Sequence, residues 1–309
     1  MSAAKGSRQY PDRVATDYTD DLRLAHLLAD DADSLTQARF KALDLHVMSK
    51  PDLTPVTDAD QAVEESIRRT LSRVRTRDAV TGEEQGSAGH SQRRWIIDPI
   101  DGTKNFVRGV PVWATLIALA VEDEVVLSVV SAPLLQRRWW ASVGGGAWTG
   151  KSLLKATECR TSDVRRLEDA SLSFSSLSGW EERGRGEDFL ALMRSCWRTR
   201  AYGDFWSYML LAEGAVDVAA EPELEVYDMA ALDIIVREAG GQFTSLEGTP
   251  GPWGGNALAT NGHLHDAALS FLGSLPDDNH DADWQPSRGG TVSELRQRRE
   301  PVAEDPPPE

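Results

Sequence analysis

The sequence predicts an α/β fold of the α+β type, built as a layered sandwich of helices and sheets. Aliphatic runs at 114–121 and 125–130 are typical of buried strands, and the turn at 122–124 makes them antiparallel neighbours. Beyond residue 158, short apolar strands alternate with helical segments. A more antiparallel first half followed by alternating strands and helices fits a layered architecture. With 309 residues, the chain can build one large domain or two lobes.

The chain divides into four segments. A change of pattern near 153–163 separates an α+β lobe at 17–157 from an α/β lobe at 158–273. The polar segment 1–16 and the acidic tail 274–309 lack the apolar periodicity of a packed domain, so both are predicted to be disordered.

Helical periodicity dominates the start of the first lobe. Apolar residues recur at three- and four-residue steps across 17–47. This pattern predicts one amphipathic helix, or two helices with a break at 31–34. His26 lies within this segment and is expected to face solvent.

A loop and a second helix come next. Two prolines mark 49–60 as a loop. Thr57 or Asp58 can cap the helix predicted at 61–71. The segment 80–84 then has the character of a strand end that carries acids.

The later elements follow from shorter apolar runs and from glycine stops such as Gly240 and Gly241. Helices are predicted at 186–196, 207–213, 228–239 and 265–272. Strands are predicted at 95–97, 136–141, 170–175, 199–202, 216–220, 242–246 and 257–260.

Composition and charge exclude several classes of protein. The chain carries 49 acidic against 33 basic residues, a formal charge of −16, which argues against a surface for nucleic acid or for an anionic membrane. No apolar run reaches the roughly 20 residues that a membrane-spanning helix needs, and no hydrophobic signal region follows Met1, so a cytoplasmic protein is expected. Cys159 and Cys196 are too few for a disulfide framework and are expected to be reduced.

The segment around Asp98 and Asp101 carries the clearest chemistry. An apolar strand delivers these two carboxylates, and Pro99 between them blocks the strand's hydrogen bonds, so both acids are expected on a turn. Gly102 permits a tight backbone and Thr103 favours a helix start, so amide N–H groups just past the acids can face an anion. Acids beside such amides indicate a metal that bridges to phosphate. A plain acidic surface turn with a helix cap is the alternative.

The sequence resembles the inositol-monophosphatase-like, magnesium-dependent phosphatases in three motifs. In family order they are Gly82-Glu83-Glu84, Asp98-Pro99-Ile100-Asp101-Gly102-Thr103 and Tyr227-Asp228-Met229-Ala230-Ala231. Tyr227 stands where many members have tryptophan. The resemblance runs from about residue 17 to residue 273. It implies the layered αβαβα sandwich of inositol monophosphatase and fructose-1,6-bisphosphatase, and a homodimer.

The residue types and the resemblance together indicate a magnesium site. Hard carboxylate oxygens with no nearby cysteine or histidine select Mg²⁺, with Mn²⁺ as the alternative, rather than zinc. The resemblance implies two or three ions per site, the third beside Lys50 after the loop at 49–60 closes. The predicted ligands are Glu83, Asp98, Asp101, Asp228 and, from the resemblance, the backbone carbonyl of Ile100.

The reaction expected at this site is hydrolysis of a phosphate monoester. The phosphate would bridge the metals and accept hydrogen bonds from the amides of Gly102 and Thr103. A water activated by the metal would be oriented by Thr103 and deprotonated with help from Asp58 or Glu83, so no phosphoenzyme is expected. For Asp58 the alternative role is a plain N-cap of the following helix.

Two further acids indicate the substrate. The resemblance implies a substrate contact for Glu221, whereas inositol-type members usually have a small residue in place of Asp204. An additional carboxylate favours a cationic leaving group. The alternative role of Asp204 is an N-cap of the helix that follows. The predicted substrate-binding residues are Lys50, Gly102, Thr103, Asp204, Glu221 and Asp228.

Three neighbouring segments resemble the histidinol-phosphate phosphatase branch of the family, namely 105–113, 174–180 and 200–205. Histidinol phosphate carries an amine and an imidazole, both able to meet Asp204 and Glu221. The resemblance therefore implies hydrolysis of this ester in histidine biosynthesis. An inositol or other sugar monophosphatase is the alternative within the same chemistry. A catalytically silent metal-binding protein on the same scaffold is the alternative outside it.

Overall fold

The structure is a computed structural model that describes residues 17–50 and 54–273. The two segments predicted to be disordered, 1–16 and 274–309, lie outside the described residues. The helices of the described part are α1 (Thr19–Arg39), α2 (Asp58–Val74), α3 (Thr103–Arg108), α4 (Leu177–Glu182), α5 (Gly186–Ser195), α6 (Asp204–Ala212), α7 (Val226–Glu238) and α8 (His265–Leu272).

The strands of the described part form an eight-stranded, a five-stranded and a two-stranded sheet. The two-stranded sheet is β1 (Val47–Ser49) and β2 (Pro55–Thr57). The eight-stranded sheet contains β3 (Ala79–Gly82), β4 (Gly86–Ala88), β5 (Arg93–Asp101), β6 (Ala114–Val121), β7 (Glu124–Ala132), β8 (Arg137–Ser142), β9 (Gly146–Ser152) and β10 (Lys155–Glu158). The five-stranded sheet contains β11 (Ser171–Ser173), β12 (Arg198–Arg200), β13 (Val218–Glu221), β14 (Gln242–Thr244) and β15 (Ala257–Thr260).

The larger sheet is antiparallel at most of its pairings. Its strand order is β10-β9-β8-β7-β6-β5-β3-β4, and β5 runs parallel to β3 but antiparallel to β6. The five-stranded sheet has the order β12-β11-β13-β15-β14, with β11 parallel to both of its neighbours. The predicted contrast between a more antiparallel first half and a second half in which strands alternate with helices is confirmed.

Alternating side chains on buried strands define the layers. On β5, Trp95 and Ile97 pack toward α1 and α2, whereas Ile96 packs toward α6 and α7. On β13, Ala219 faces α6 and α7, and Val218 faces α4, α5 and α8. Because both sheets are covered on both faces, their strands are apolar almost throughout. The result is the predicted αβαβα sandwich, with α6 and α7 between the two sheets.

The first helix takes the unbroken form of the two that were predicted, but the expected position of His26 is wrong. α1 runs unbroken through 31–34, and His26 is buried, with 7% of its surface exposed. Its ring packs edge-on against Trp140, with ring centroids 5.0 Å apart. The expectation that His26 faces solvent is wrong, because it shares the face of α1 that packs on the larger sheet.

Two further expectations concern the whole described part. Cys159 and Cys196 are both free thiols. Among residues 17–50 and 54–273, no helix combines the length and the apolar character that crossing a membrane requires. In chain order, β10 is the last strand of the eight-stranded sheet and β11 is the first strand of the five-stranded sheet. The lobe boundary at 157/158 stays a prediction.

Burial of His26 should make stability depend on pH. Burial, and then the charge of Arg138, lowers the pKa of His26 to about 4, while Asp30 acts in the opposite direction. The unfolded chain binds the proton near pH 6.5, so this contribution is complete above that pH and is lost as the pH falls toward 4. We expect wild-type protein to lose about 2–3 kcal/mol over this range through His26 alone.

The test is urea unfolding between pH 7 and pH 4.5. His26→Phe should show a shallower loss of unfolding free energy than wild type, although it is less stable at pH 7 because Arg138 loses a contact to the ring. His90→Gln, at an exposed position, is the control. Equal pH slopes for His26→Phe and wild type would contradict the assignment.

Candidate active site

The strand β5 brings Asp98 and Asp101 to one end of the larger sheet. Pairing with β6 is regular up to Asp98, is then interrupted, and resumes where Asp101 lies opposite Ala114. Pro99 causes the interruption because it has no N–H to donate, and its carbonyl accepts a hydrogen bond from Thr115 Oγ1 at 2.8 Å. The predicted turn is therefore an irregularity within β5, which continues to Asp101 instead of ending before Pro99.

A third carboxylate joins these two from the first turn of α7. Asp98, Asp101 and Asp228 each place a carboxylate oxygen within 4.8 Å of the others. Each also accepts one backbone N–H, which orients the carboxylate without neutralising it. The donors are Ile100 for Asp98 at 2.9 Å, Phe205 for Asp101 at 2.6 Å and Glu225 for Asp228 at 2.8 Å.

Burial and mutual repulsion raise the pKa of these carboxyls. For Asp98 and Asp101, burial acts first and neighbouring acids add to it, so both pKa values lie well above the usual range. Burial raises the pKa of Asp228 to about 7. Like charges this close are unfavourable unless a cation lies between them. The donors are carboxylate oxygens, a set that fits Mg²⁺ or Mn²⁺ better than zinc.

Glu83 lies near the three acids, on the turn between β3 and β4, but it is not a member of the group whose oxygens lie within 4.8 Å of one another. Its negative charge contributes to the raised pKa of Asp98. Lys50 Nζ is 2.5 Å from Glu83 Oε1 and 2.8 Å from Glu84 Oε1. The structure therefore brings Glu83 and Lys50 to the predicted site, with the ammonium group between two carboxylates.

Thr103 begins α3 directly beyond the acids. Its hydroxyl donates to the Ile100 carbonyl at 2.9 Å and lies 3.4 Å from Asp60 Oδ1. Gly102 before it has a φ of 86°, a left-handed conformation that favours glycine. A Cβ at Gly102 would also lie 3.3 Å from Asp204 Oδ2. The backbone therefore passes close to the Asp204 carboxylate as it enters the helix.

The start of α2 corrects one predicted role. Thr57 is the N-cap, and it forms a reciprocal capping box with Asp60. Burial raises the pKa of Asp60 to about 7. Asp58 therefore does not cap the helix, and its carboxylate pairs with Arg39 at 2.6 Å. Its role as proton acceptor stays a prediction. The carboxylate beside Thr103 is thus Asp60, and the three-residue spacing from Thr57 was the sequence signal that could have identified it.

Asp204 is the first residue of α6 and does not cap it. The cap is Gly203, and no side chain completes it. Asp204 has a φ of 47°, a conformation uncommon outside glycine that concentrates at functional sites. Its Oδ2 accepts a hydrogen bond from Asn105 Nδ2 at 3.1 Å, and its charge contributes to the raised pKa of Asp101. The alternative role as an N-cap is excluded.

Glu221 is the last residue of β13 and is 6% exposed, and burial raises its pKa to about 8. Ser175 links it to the neighbouring acid. The Ser175 hydroxyl donates to Glu221 Oε1 at 2.5 Å and accepts the Asp204 N–H at 2.9 Å. Ser175 and Asn105 are site residues that the sequence reasoning missed. Both lie in segments that carry the family resemblance, but no spacing pattern connects them to the acids they contact.

Comparison with other sequences gives a consistent result. The chain matches the inositol monophosphatase family over residues 19–274. It is 63% identical over 260 residues to the histidinol-phosphatase of Streptomyces coelicolor, which covers 83% of this chain and 98% of that protein. It is 60% identical over 254 residues to the histidinol-phosphatase of Mycobacterium tuberculosis, with coverages of 82% and 98%.

Solved structures share the fold. An inositol monophosphatase from Zymomonas mobilis superposes with a TM-score of 0.73 at 33% identity, covering 83% of this chain and 99% of that one. The extragenic suppressor protein suhB from Bartonella henselae gives a TM-score of 0.75 at 29% identity, with coverages of 82% and 98%. With its fold, its acid group and these matches, the chain belongs to the inositol monophosphatase family.

Proposed function

We propose that this chain hydrolyses L-histidinol phosphate to L-histidinol and inorganic phosphate, as a step of histidine biosynthesis. The observation that carries the proposal is the arrangement of two acid groups in one site. Asp98, Asp101 and Asp228 suit a metal-held phosphate, and Asp204 with Glu221 suits a cationic leaving group. The identities of 63% and 60% to two histidinol-phosphatases support the same substrate.

The ions proposed are Mg²⁺, two or three per site, with Mn²⁺ as the alternative. When bound, such ions offset the charge of the phosphate and lower the pKa of water. The raised pKa values of the buried acids support a native site that contains a cation. The residues that would hold the ions are Glu83, Asp98, Asp101, Asp228 and, through its backbone carbonyl, Ile100.

Thr103 and Asp60 are the proposed proton-handling pair. The Thr103 hydroxyl donates to the Ile100 carbonyl in the structure, and Asp60 Oδ1 lies 3.4 Å from the hydroxyl oxygen. In the reaction the hydroxyl would turn to Asp60, pass its own proton to that carboxylate and take a proton from the attacking water. The water attacks phosphorus opposite the ester oxygen, the P–O bond breaks, and the departing oxygen takes a proton from solvent. Asp60 thus takes the role predicted for Asp58. Glu83 stays the second candidate acceptor, although Lys50 engages its carboxylate.

The phosphate and the leaving group would be bound at opposite sides of the acid group. We assign the phosphate oxygens to the amides of Gly102 and Thr103, where α3 begins, and to Lys50. Asp204 and Glu221 would receive the amine and the imidazole of histidinol. Asp204 accepts a hydrogen bond from Asn105 and Glu221 accepts one from Ser175, both neutral side chains, so a cationic group of the substrate could still pair with either carboxylate.

An inositol or other sugar monophosphatase is the second candidate, because solved relatives of the same fold are inositol monophosphatases. A substrate panel with added Mg²⁺ separates the two. The homodimer and the cytoplasmic location stay predictions.

Asp98→Asn should abolish turnover by removing a metal ligand, with activity falling more than about a hundredfold. Without metal the variant should be at least as stable as wild type, because one of several repelling carboxylates is gone. Mg²⁺ should raise the thermal midpoint of wild type but not of the variant. Asp123→Asn, on an exposed turn, is the control. Retained activity, or a retained Mg²⁺ shift, would refute the ligand assignment.

Asp60→Asn and Asp58→Asn form a matched pair on one helix turn. The first should lower kcat by about 10²–10³-fold, because a positioned proton acceptor contributes that much. The second should stay within a few-fold of wild type, since the Asp58 carboxylate faces Arg39. Steady-state kinetics at saturating Mg²⁺ decides between them. A larger loss for Asp58→Asn would restore the original assignment.

Asp204→Asn should separate substrates. The variant should lose about 10–100-fold in kcat/KM for histidinol phosphate, the worth of a hydrogen bond to a charged group, and should keep its activity on inositol 1-phosphate. Glu187→Gln, an exposed acid on α5, is the control. Wild-type preference for inositol 1-phosphate, or equal losses on both esters, would contradict the proposed substrate.

A further inference from the structure

Glu64 is a buried carboxylate that the proposed reaction does not use. Its side chain is fully buried. α2 carries Asp60, Glu64 and Arg68 four residues apart, which puts them on one face of the helix. Asp60 faces Thr103, whereas Glu64 reaches the turn between β3 and β4 that carries Glu83.

The Glu64 carboxylate accepts three hydrogen bonds around this turn. Its Oε2 accepts the backbone N–H of Glu84 at 2.7 Å, and its Oε1 accepts that of Gln85 at 3.1 Å. Arg68 Nε donates to the same Oε1 at 2.7 Å, and Arg68 also donates to the Gly86 carbonyl. Hydrogen bonds to an ionised acceptor are about twice as strong as neutral ones. The turn is therefore anchored to α2 at consecutive residues.

The contact between Glu64 and this turn also explains why the Gly82-Glu83-Glu84 motif begins with glycine. Gly82 does not have a left-handed backbone conformation, so the turn itself does not require glycine there. A Cβ at Gly82 would lie 2.3 Å from Glu64 Oε1 and 2.4 Å from Glu64 Cδ. Glycine is needed because the Glu64 carboxylate occupies that space.

We infer that Glu64, paired with Arg68, is the positioning residue for Glu83. It fixes the backbone of the turn so that the Glu83 carboxylate stays beside Asp98 and within reach of Lys50. The inference rests on the metal site of the proposed function. Partners that orient metal ligands typically contribute 10–100-fold to metal affinity, so the role of Glu64 is measurable in metal binding.

The test compares Glu64→Gln with Glu65→Gln. Glu65 and Arg69 repeat the same i,i+4 pair one residue along α2, but they are 71% and 55% exposed and 3.9 Å apart. Glutamine keeps the shape of Glu64 but replaces one acceptor oxygen by a donor, which opposes a backbone N–H of the turn. Mn²⁺ binding is titrated by electron paramagnetic resonance without substrate, and amide hydrogen exchange is measured at Glu84 and Gln85.

Glu64→Gln should bind Mn²⁺ about 10–100-fold more weakly than Glu65→Gln and should exchange both amides faster. Its kcat at saturating Mg²⁺ should recover most of the wild-type value, while the Mg²⁺ concentration for half-maximal rate rises by the same factor as the Mn²⁺ dissociation constant. If Glu64 only stabilised the fold, neither the Mn²⁺ dissociation constant nor the Mg²⁺ concentration for half-maximal rate would change. Equal Mn²⁺ affinities for the two variants would overturn the inference.

If Glu64→Gln does not fold, the same Mn²⁺ titration is made with variants of Arg68 and Arg69. Arg68→Gln should bind Mn²⁺ more weakly than Arg69→Gln, with Arg68→Lys between them, and equality of all three would overturn the inference. Because Mn²⁺ binding is read without substrate, an inactive protein that still binds Mn²⁺ would count against the proposed substrate alone. A wild-type chain that binds no Mn²⁺ would refute the metal site, and the role of Glu64 with it.

Discussion

The repulsion between like-charged carboxylates in a buried place is the constraint on which the site depends. Asp98 and Asp101 come from one strand, and Asp228 comes from a helix far along the chain. Each is oriented by one backbone N–H, which fixes its direction but leaves its charge. Burial first, and then the repulsion between them, raises the pKa values of these acids, and a divalent cation would offset that unfavourable free energy on binding. The unfavourable free energy of the acid group and the affinity for a cation that we propose would therefore have one cause.

The layered fold offsets part of this repulsion. The helices α3, α6 and α7 all begin beside the acid group, so the positive ends of their dipoles face it. The contact is direct at α6, where the Phe205 N–H donates to Asp101. Because α6 and α7 are enclosed between two sheets, neither can turn its first residues away. The layered packing thus holds the N-termini of helices from distant segments together at one end of β5.

The sequence predicted features that depend on a few neighbouring residues. It did not predict contacts between residues that lie far apart in the chain. The acid turn, the glycine and threonine after it and the layered fold follow from short motifs and from strand and helix periodicity. Asp60 was within reach too, since a capping box is a local pattern. No local pattern reveals that Ser175 joins Glu221 to Asp204. Likewise, the burial of His26 depends on the sheet that α1 covers.

The proposed choice of substrate depends on how many carboxylates are buried at the leaving-group side, because two carboxylates cost more to bury beside a neutral group than one does. Glu221 alone does not define a cationic leaving group, because a buried carboxyl with a pKa of about 8 is largely protonated at neutral pH and can then bind a neutral polyol. Asp204 would change this balance, since it adds a second carboxylate to the site, held near Glu221 because the Ser175 hydroxyl donates to Glu221 and accepts the backbone N–H of Asp204. A leaving group without positive charge would leave the buried acid pair without a cation to balance its charge, a larger loss than any single new contact gains. In the proposed complex an ammonium and an imidazole would meet both acids, so the second carboxylate would select by penalising neutral substrates as much as by attracting cationic ones.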